Sequence, residues 1–475
     1  MYRWSAQAQM CRARWARQGL CSFGPHPGAM KYAYAAILSC CVLAASGCGG
    51  GSGTSLPTPE TGVAGSVPVA SAARIKHVII LVQENRSFDN LFAGYPGADT
   101  ATTGTLHDGT TVALRPVPLE DGRDVGHFHY SFESAYDSGK LDGFDLEQGY
   151  GIVNGAYGVV PGADPTLPYA YVPPAETAPY RQIAAAYTLG DRNFESNSGP
   201  SYPAHQYLIA GQSADADEVP TVTPWGCDAP AGTVVPLLAP NGSDTTGVTP
   251  CFDYATLADR MDAAGVSWHY YTPPLTAPGG TFSAFDAVRH IRYGSDWTAD
   301  VINPETQIFS DLTKGTLPQV SWVIPSFPNS DHPLARSNTG PSWVASVVNA
   351  VGASSYWSST AIFVVWDDWG GWYDHVAPPS VDAMGLGFRV PLLVISPYSK
   401  HGYVSHVQHE FGSILHFTEE TFGLATLGTR DATSDDLQDC FNFSQMPPAF
   451  VTIQAQYRKT FFLRQIEPGE APDPA

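Results

Sequence analysis

IKHVIILVQENRSFDN, residues 75–90, is the stretch of sequence from which the fold and the site can be predicted. Its continuous apolar run, Val78 to Val82, has polar residues on both sides, which is typical of a strand buried on both faces of a parallel sheet. Glu84 and Asn85 follow directly after this run. Open α/β sheets bind their ligands beyond the carboxyl ends of their strands, so we expect these two side chains to hold a metal ion.

A second stretch of the sequence also consists of an apolar run followed directly by two polar residues. The apolar run Thr360 to Trp366, TAIFVVW, is followed at once by Asp367 and Asp368 in the sequence WDDWGGWYDHVAPP. Each polar pair alone is also compatible with a helix cap or a turn. Carboxylates that converge on one crevice repel each other unless a cation lies between them, so the two pairs together predict a metal site.

Further buried strands alternate with helical patterns along the chain. We predict strands at residues 187–191, 266–270, 319–325 and 391–396, and helices at residues 252–265, 341–350 and 410–422. Strands separated by helices, without an internal repeat, favour an α/β fold with a doubly wound, mostly parallel sheet. We predict a single large catalytic domain of this kind over residues 74–465.

The composition is that of a globular protein with an excess of acidic residues. Hydrophobic residues make up 43% of the 475 residues, which is ample for a core. The formal net charge is -21, and because a nucleic-acid partner requires Lys and Arg to neutralise phosphates, we predict no such partner. No segment after the amino-terminal region approaches the run of about 18 apolar residues that predicts a transmembrane helix.

The amino-terminal residues have the composition of an export signal. Residues 1–47 contain no acidic side chain, and MKYAYAAILSCCVLAASGCGGG, from Met30, has a charged start, an apolar run and small residues before Cys48. This pattern is typical of a secretory signal, and the residues before Cys48 resemble a bacterial lipoprotein cleavage box. We predict export to the periplasm, the outer membrane or the exterior, with a lipid anchor on Cys48. Residues 48–73 are predicted to be a flexible tether, and residues 466–475 a disordered tail.

Export also favours oxidised cysteines. Of the eight cysteines, Cys227, Cys251 and Cys440 lie beyond Cys48. Cys227 and Cys251 flank a loop rich in Pro, Gly and Thr, which suggests a disulfide that closes the loop and leaves Cys440 free. Three buried thiols are the alternative, because the pairing does not follow from sequence.

Ser201 begins an apolar helical segment in the stretch GPSYPAHQYLIAG. A helix amino terminus offers free backbone NH groups and the positive end of a dipole, so a serine there can meet a phosphate or act as a nucleophile. Serine is also one of the commonest residues to cap a helix, so a purely structural role is the alternative. His127 and His129 precede a short helical pattern, and His127 is the stronger functional candidate.

Several longer motifs resemble a known family. They are HVIILVQENRSFDNLF from His77, GKLDGF from Gly139, GPSYP around Ser201, SDHP from Ser330, and WDDWGGWYDHVAPP with GFRVPLLVISPYS. Together they resemble the bacterial phosphoesterase family of phospholipases C and acid phosphatases, which is related in fold to alkaline phosphatases and sulfatases. The resemblance covers residues 74–463.

The resemblance implies a metal-dependent phosphoester hydrolase. It implies one or more divalent metal ions, bound by the two polar pairs, Glu84, Asn85, Asp367 and Asp368. It further implies Ser201 as the nucleophile, with His127 and His332 near the phosphoryl group and His375 as another catalytic candidate. The substrate is then a phosphoester, lipid or soluble, and the oligomeric state is left open.

Two departures from the family pattern leave other functions open. Relatives often carry Asn-Arg where this chain has Ala204-His205, and Glu where it has Asp368. The first departure removes one polar substrate contact, for which His205 is a candidate replacement. The segment from Ser201 to His205 is one residue away from the Ser-x-Pro-x-Arg pattern of sulfatases, so a sulfatase-like hydrolase is one alternative. A non-catalytic surface lipoprotein that keeps the fold is the other.

Aromatic residues around the second acidic pair suggest a further hypothesis. Trp366, Trp369, Trp372 and Tyr373 are candidates for a cation-π box around a choline headgroup. The simpler interpretation is that they form the wall of a crevice.

Overall fold

An eight-stranded sheet is the centre of the computed structural model, which describes residue 71, residues 74–153 and residues 156–465. In chain order its strands are β1 His77–Gln83, β2 Thr188–Gly190, β3 Trp268–Tyr271, β4 Val301–Ile302, β5 Val320–Val323, β6 Thr360–Trp366, β7 Leu392–Ile395 and β8 Tyr403–Ser405. Across the sheet they follow the order β4-β3-β5-β1-β6-β7-β2-β8. The predicted signal, the Cys48 anchor, nearly all of the tether and the tail lie outside the described residues.

Strand β1 lies between two parallel neighbours. Val78 is in register with Val320 of β5 on one side and with Ala361 of β6 on the other. Strand β7 is antiparallel to both of its neighbours, β6 and β2, whereas the other pairings in the sheet are parallel. The predicted mostly parallel α/β sheet is therefore confirmed.

Both faces of the sheet are covered at its centre. Every residue of Val78 to Val82 is 0% exposed, and every residue of β6 is buried. Because neighbouring side chains of a strand point to opposite faces, such continuous burial requires packed layers on both sides. The carboxyl ends of β1 and β6 thus meet inside the protein.

Helices and short connections form the covering layers. The helices are α1 Phe88–Phe92, α2 His129–Tyr136, α3 Ala178–Ala186, α4 Ser201–Ala210, α5 Leu257–Ala264, α6 Arg289–Arg292, α7 Asp296–Ala299, α8 Gln307–Lys314, α9 Gly340–Gly352, α10 Phe411–Phe422 and α11 Lys459–Phe462. The predicted helices and strands are all present, several with shorter bounds. Helix α5, for example, begins only after Thr256, whose side chain forms a capping box with Asp259.

Small sheets lie outside the central one. Two-stranded pairs join Thr103–Thr105 to Thr111–Ala113, Arg115–Pro116 to Ala170–Tyr171, and Asn193–Phe194 to His409–Glu410. A three-stranded sheet contains Asp124–Val125, Gly149–Val153 and Ala156–Val159.

Cys227 and Cys251 form a disulfide, as predicted, and Cys440 is a buried free thiol. Within the part of the chain that the structure describes, no helix combines the length and the apolarity needed to cross a bilayer.

Candidate active site

The two polar pairs predicted from the sequence meet at the carboxyl edge of the sheet. Strand β1 presents Glu84 and Asn85, β6 presents Asp367 and Asp368, and all four residues are 0% exposed. The backbone NH of Asn85 donates a 2.9 Å hydrogen bond to Asp367 Oδ1. This bond ties the end of one strand to the end of its neighbour.

Glycine allows the backbone to pass close to Asn85. Asn85 has a φ of 54°, in the left-handed region that Asn adopts more readily than most residues. Gly370 has a φ of +64°, and a Cβ at this position would lie 2.1 Å from the Asn85 carbonyl oxygen. The glycine after the second acidic pair therefore permits the approach of the two strand ends.

Ser201 contacts the polar pairs through its side chain. Its Oγ donates a 3.0 Å hydrogen bond to Asp368 Oδ2, and Asn85 Nδ2 donates a 3.2 Å hydrogen bond to the same Oγ. Pro200, and not Ser201, occupies the capping position of α4, and the hydrogen-bond partners of Ser201 Oγ among the described residues are Asp368 and Asn85. The structural alternative for this serine is therefore not supported, and its hydroxyl faces carboxylate at a helix amino terminus.

His127 lies beside the same amide. Its Nδ1 is 2.7 Å from the Val125 carbonyl oxygen and therefore carries a proton, because that oxygen can only accept. Nε2, the unprotonated nitrogen, is 3.0 Å from Asn85 Nδ2, and it is one of four acceptor atoms around the two hydrogens of this amide. The ring is thus held in one tautomer next to Asn85 and Ser201.

His332 approaches the group from another loop. Its ring centroid is 6.5 Å from that of His127, and its Nδ1 accepts a 3.2 Å hydrogen bond from the backbone NH of Leu334. Burial lowers the pKa of His332 to about 4, so the ring is neutral with its proton on Nε2. Among the described residues this buried Nε2 has no hydrogen-bond partner, which leaves a donor available to a ligand.

His375 lies in a different cluster. Its Nδ1 is 2.6 Å from Asp89 Oδ2, and its Nε2 is 3.0 Å from Asp99 Oδ1. Burial opposes protonation, but the hydrogen bond and charge of Asp89 outweigh it and raise the pKa of His375 to about 9. Arg389 pairs with the nearby Asp374 at 2.8 Å. The structure places His375 in an ion-pair network and does not bring it into contact with Ser201.

His205, which the sequence shows in place of a polar residue of the family pattern, lies beside both acidic strand ends of the candidate site. It lies one turn after Ser201, and its Nε2 is 2.9 Å from Glu84 Oε1 and 3.6 Å from Asp367 Oδ2. One ligand atom from each of these three residues lies within 4.8 Å of the others, an arrangement able to hold a metal ion. The spacing of four residues between Ser201 and His205 on a helix was the available signal.

The carboxylates of the site are crowded. Burial, followed by the charge of Asp367, raises the pKa of both Glu84 and Asp368 well above the usual range. Glu84 Oε2, Asn85 Oδ1 and Asp367 Oδ2 are buried oxygen atoms without a hydrogen-bond partner among the described residues. Three such oxygens beside an imidazole form a donor set that fits a divalent cation.

Glu195 is a further buried carboxyl that sequence analysis missed. Burial and the charges of Asp368 and Asp367 raise its pKa well above the usual range. A Cβ at Gly387 would lie 2.7 Å from Glu195 Oε2, so the surrounding backbone is packed closely against this side chain. No local pattern distinguishes Glu195 from an ordinary loop glutamate.

The aromatic residues beside the second acidic pair are part of the core. Trp369 is 0% exposed and packs against Phe144 and Phe388 with ring centroids 5.7 and 4.7 Å away. The face of Trp372 is occupied by Arg86, whose guanidinium lies 5.1 Å from the ring centroid. The hypothesis of a choline box at these residues is therefore wrong.

These features define an α/β protein in which a buried serine at a helix amino terminus faces carboxylates at the edge of a mostly parallel sheet. The chain belongs to the Phosphoesterase family, whose model matches residues 75–425. The family resemblance of the sequence motifs is thereby confirmed.

Two curated relatives are phospholipases C. The chain is 27% identical to the non-hemolytic phospholipase C of Pseudomonas aeruginosa, over 78% of this chain and 57% of that protein. It is 26% identical to phospholipase C B of Mycobacterium tuberculosis, over 78% of each. The chain thus spans little more than half the length of the Pseudomonas relative. A solved protein in the alkaline phosphatase superfamily from Vibrio parahaemolyticus matches with a TM-score of 0.36 and 11% identity, over 77% of this chain and 71% of that one.

Proposed function

We propose that this protein is a metal-dependent phosphoester hydrolase in which Ser201 is the nucleophile. The observation that carries the proposal is the hydrogen-bonded group of Ser201, Asp368 and Asn85 at the amino terminus of α4. A hydroxyl held there meets free backbone NH groups and the positive end of the helix dipole, which suit the negative charge of a phosphoryl group. Relatives that are phospholipases C support the same reaction class.

The two acidic strand ends would hold the metal. Glu84, Asn85, Asp367 and Asp368 supply the oxygen ligands predicted from the sequence, and His205 offers a nitrogen beside Glu84 and Asp367. A bound divalent cation lowers the pKa of the serine hydroxyl and neutralises charge on the phosphoryl oxygens. Metal analysis of the purified protein measures which ion it binds and how many ions each chain holds.

The side chains around Ser201 bind and orient the reacting groups and take up the proton of the serine. The proton that leaves Ser201 has an acceptor at 3.0 Å in Asp368 Oδ2, and Asn85 holds the Oγ in place. In-line attack on phosphorus forms a phosphoserine and releases the alcohol. His332 can donate a hydrogen bond from its unpartnered Nε2 to a phosphoryl oxygen, with His127 beside it, and the leaving oxygen takes its proton from solvent water. Water then attacks phosphorus and releases phosphate or a phosphorylated headgroup, and Ser201 Oγ takes back the proton held by Asp368.

Replacement of the nucleophile tests this assignment. We expect Ser201→Ala to lower kcat by about a thousandfold or more on whichever of p-nitrophenyl phosphate and phosphatidylcholine the unaltered protein hydrolyses. Ser295→Ala, at an exposed helix start, is the matched control and should retain full activity. Unchanged turnover in Ser201→Ala would show that another group attacks phosphorus.

The same preparation distinguishes the alternatives. Metal analysis should find a divalent ion, and chelation followed by dialysis should remove both the ion and the activity. A sulfatase requires conversion of the serine to formylglycine, so an unmodified mass of the peptide containing Ser201 excludes that function. Bound metal without hydrolysis of any phosphoester would favour the non-catalytic surface lipoprotein. We also propose that the protein is exported and that Cys48 carries a lipid. The residues on which these two proposals depend lie outside the part of the chain that the structure describes.

A further inference from the structure

Asp217 is a buried carboxylate that has no part in the proposed reaction. The residue is 0% exposed, and neither Oδ1 nor Oδ2 has a hydrogen-bond partner among the described residues. Burial takes a carboxylate away from water, and this cost is recovered only when a donor or a positive charge replaces the water. Both oxygens of Asp217 are therefore open to a ligand that carries positive charge.

A second carboxylate, Asp244, lies next to Asp217. The two carboxyl groups are within hydrogen-bonding distance of each other, although ionised carboxylates can only accept. Burial and this neighbour raise the pKa of Asp217 to about 7. The backbone holds the two segments together, because Leu238 pairs with Asp244 in a β-bridge and its NH donates a 2.8 Å hydrogen bond to the Asp215 carbonyl oxygen. The contact between the two carboxyl groups is thus fixed by the fold.

The other charged groups around this pair are also acidic. Glu133 adds negative charge near Asp217, and Asp217 and Asp244 both act on Glu218. The Glu218 carboxylate already accepts a 3.2 Å hydrogen bond from the His129 backbone NH. Among the described residues, the groups that act most strongly on Asp217 and Glu218 include no Lys or Arg side chain. A neighbouring side chain therefore does not supply the positive charge that the pair lacks.

We propose that Asp217 and Asp244 bind a hard divalent cation, with Ca²⁺ as the ion that fits best, at a site separate from the strand ends. Two adjacent carboxylates offer oxygen ligands alone, which Ca²⁺ accepts in a flexible geometry. Asp244 is exposed, so water can complete the coordination. The strand ends also offer the His205 imidazole, a ligand that suits transition metals better than Ca²⁺.

The ion connects an inserted loop to the segment that carries the serine. Asp244 belongs to the loop closed by the disulfide, residues 227–251, whereas Asp217 follows α4. A Cβ at Gly199 would lie 2.6 Å from the Asp217 carbonyl oxygen, so the backbone just before Ser201 packs directly on this residue. A cation at the pair thus stabilises the support of the serine helix without contact with the reacting atoms.

Calcium binding in the absence of substrate tests the site. We expect equilibrium dialysis of the full chain against about 5 mM Ca²⁺ to show one ion fewer per chain in Asp217→Asn than in the unaltered protein, and the same loss in Asp244→Asn. Asp215→Asn is the matched control, because it makes the same change at an exposed position of the same segment, and it should lose no ion. The difference should persist when all of these proteins also carry Asp367→Asn, which removes a ligand of the strand-end site.

Thermal unfolding in this Asp367→Asn background gives a second measurement. With a chelator, adding Asp217→Asn should leave the Tm unchanged or raise it, because the amide ends the repulsion between two carboxylates. With Ca²⁺ the Tm of the protein that keeps Asp217 should rise, since the ion binds the folded state. The rise should be absent with Asp217→Asn and present with Asp215→Asn.

Each result bears on the cation site alone. Equal numbers of bound calcium ions with and without Asp217→Asn overturn the inference, and so does an equal rise in Tm. A loss of one ion and of the calcium-dependent rise, confined to Asp217→Asn and Asp244→Asn, supports it. Neither measurement involves hydrolysis, so the proposed hydrolase function can fail while the cation site stands.

Discussion

His205 connects the serine helix to both acidic strand ends. Its ring stacks on Phe282 with the ring centroids 5.5 Å apart, and the side chain is buried. His205 is therefore not an ordinary surface histidine. Burial would lower its pKa, but Glu84 and Asp367 raise the pKa of His205 to about 10. In the absence of a cation, the imidazolium is the positive charge beside Asp367: burial opposes ionisation of this carboxyl, but the hydrogen bond and charge of His205 lower its pKa to about 2.

Replacing His205 should therefore make the protein depend on metal for stability. We expect His205→Gln to lower the free energy of unfolding by about 3 kcal/mol in the presence of a chelator, because the buried Asp367 carboxylate loses its cationic partner. With saturating divalent cation the loss should be much smaller, since the ion supplies the missing charge. Urea denaturation with and without cation measures both values.

An exposed histidine provides the comparison. His401→Gln should leave the unfolding free energy unchanged in either condition. An equal deficit of His205→Gln with and without cation would contradict a role for His205 beside the metal.

At the scale of elements, the loop after β6 depends on glycine at one position. We expect Gly370→Ala to lower both stability and activity, because the added Cβ would collide with the Asn85 carbonyl oxygen and separate the two polar pairs. Gly423→Ala is matched in backbone conformation, with a φ of +66° but nothing within 4 Å of the new Cβ, so it should cost only about 1 kcal/mol. Thermal unfolding and kcat of the two variants separate collision from backbone strain. Equal losses in both would mean that the contact with Asn85 is unimportant.

Elements with a strong pattern could be predicted, and those without one could not. β1 and β6 are long apolar runs buried on both faces, so their polar ends could be located from sequence. The two-residue strand β4 is stabilised by its pairing with β3 and has no pattern of its own. His205 and Glu195 joined the site only through contacts distant in sequence. Conversely, the aromatic cluster gave a false signal, because tryptophans of a core and of a binding box look alike in sequence.

At the scale of the whole molecule, one ion-pair network joins distant segments of the chain. His375 contacts Asp89 of α1 and Asp99. Arg389, three residues before β7, donates 3.0 and 2.7 Å hydrogen bonds to the Asp99 and Asp191 carbonyl oxygens. These bonds span as many as 290 residues of sequence. The network therefore fixes the loops at this edge of the sheet relative to one another.

The network predicts a specific dependence of stability on pH. Folding raises the pKa of His375 from 6.5 to about 9, so its contribution is complete below pH 6.5 and is lost as the pH rises through 9. We expect the Tm of the unaltered protein to exceed that of His375→Gln at about pH 6, and the difference to disappear by about pH 10. A difference that is constant over this range, or that grows with pH, would contradict the assignment.

Strand β7 runs antiparallel to β6, and this direction determines where the segment that joins the two strands lies. β6 ends and β7 begins at the same edge, since Val365 is in register with Leu392, so the chain from Asp367 to Val390 leaves the sheet and returns without crossing it. That single excursion carries two proposed metal ligands, Asp367 and Asp368. Its length and composition can change between two fixed points while the order of the strands is preserved. The surroundings of the proposed metal site can thus change through replacement of this one contiguous segment.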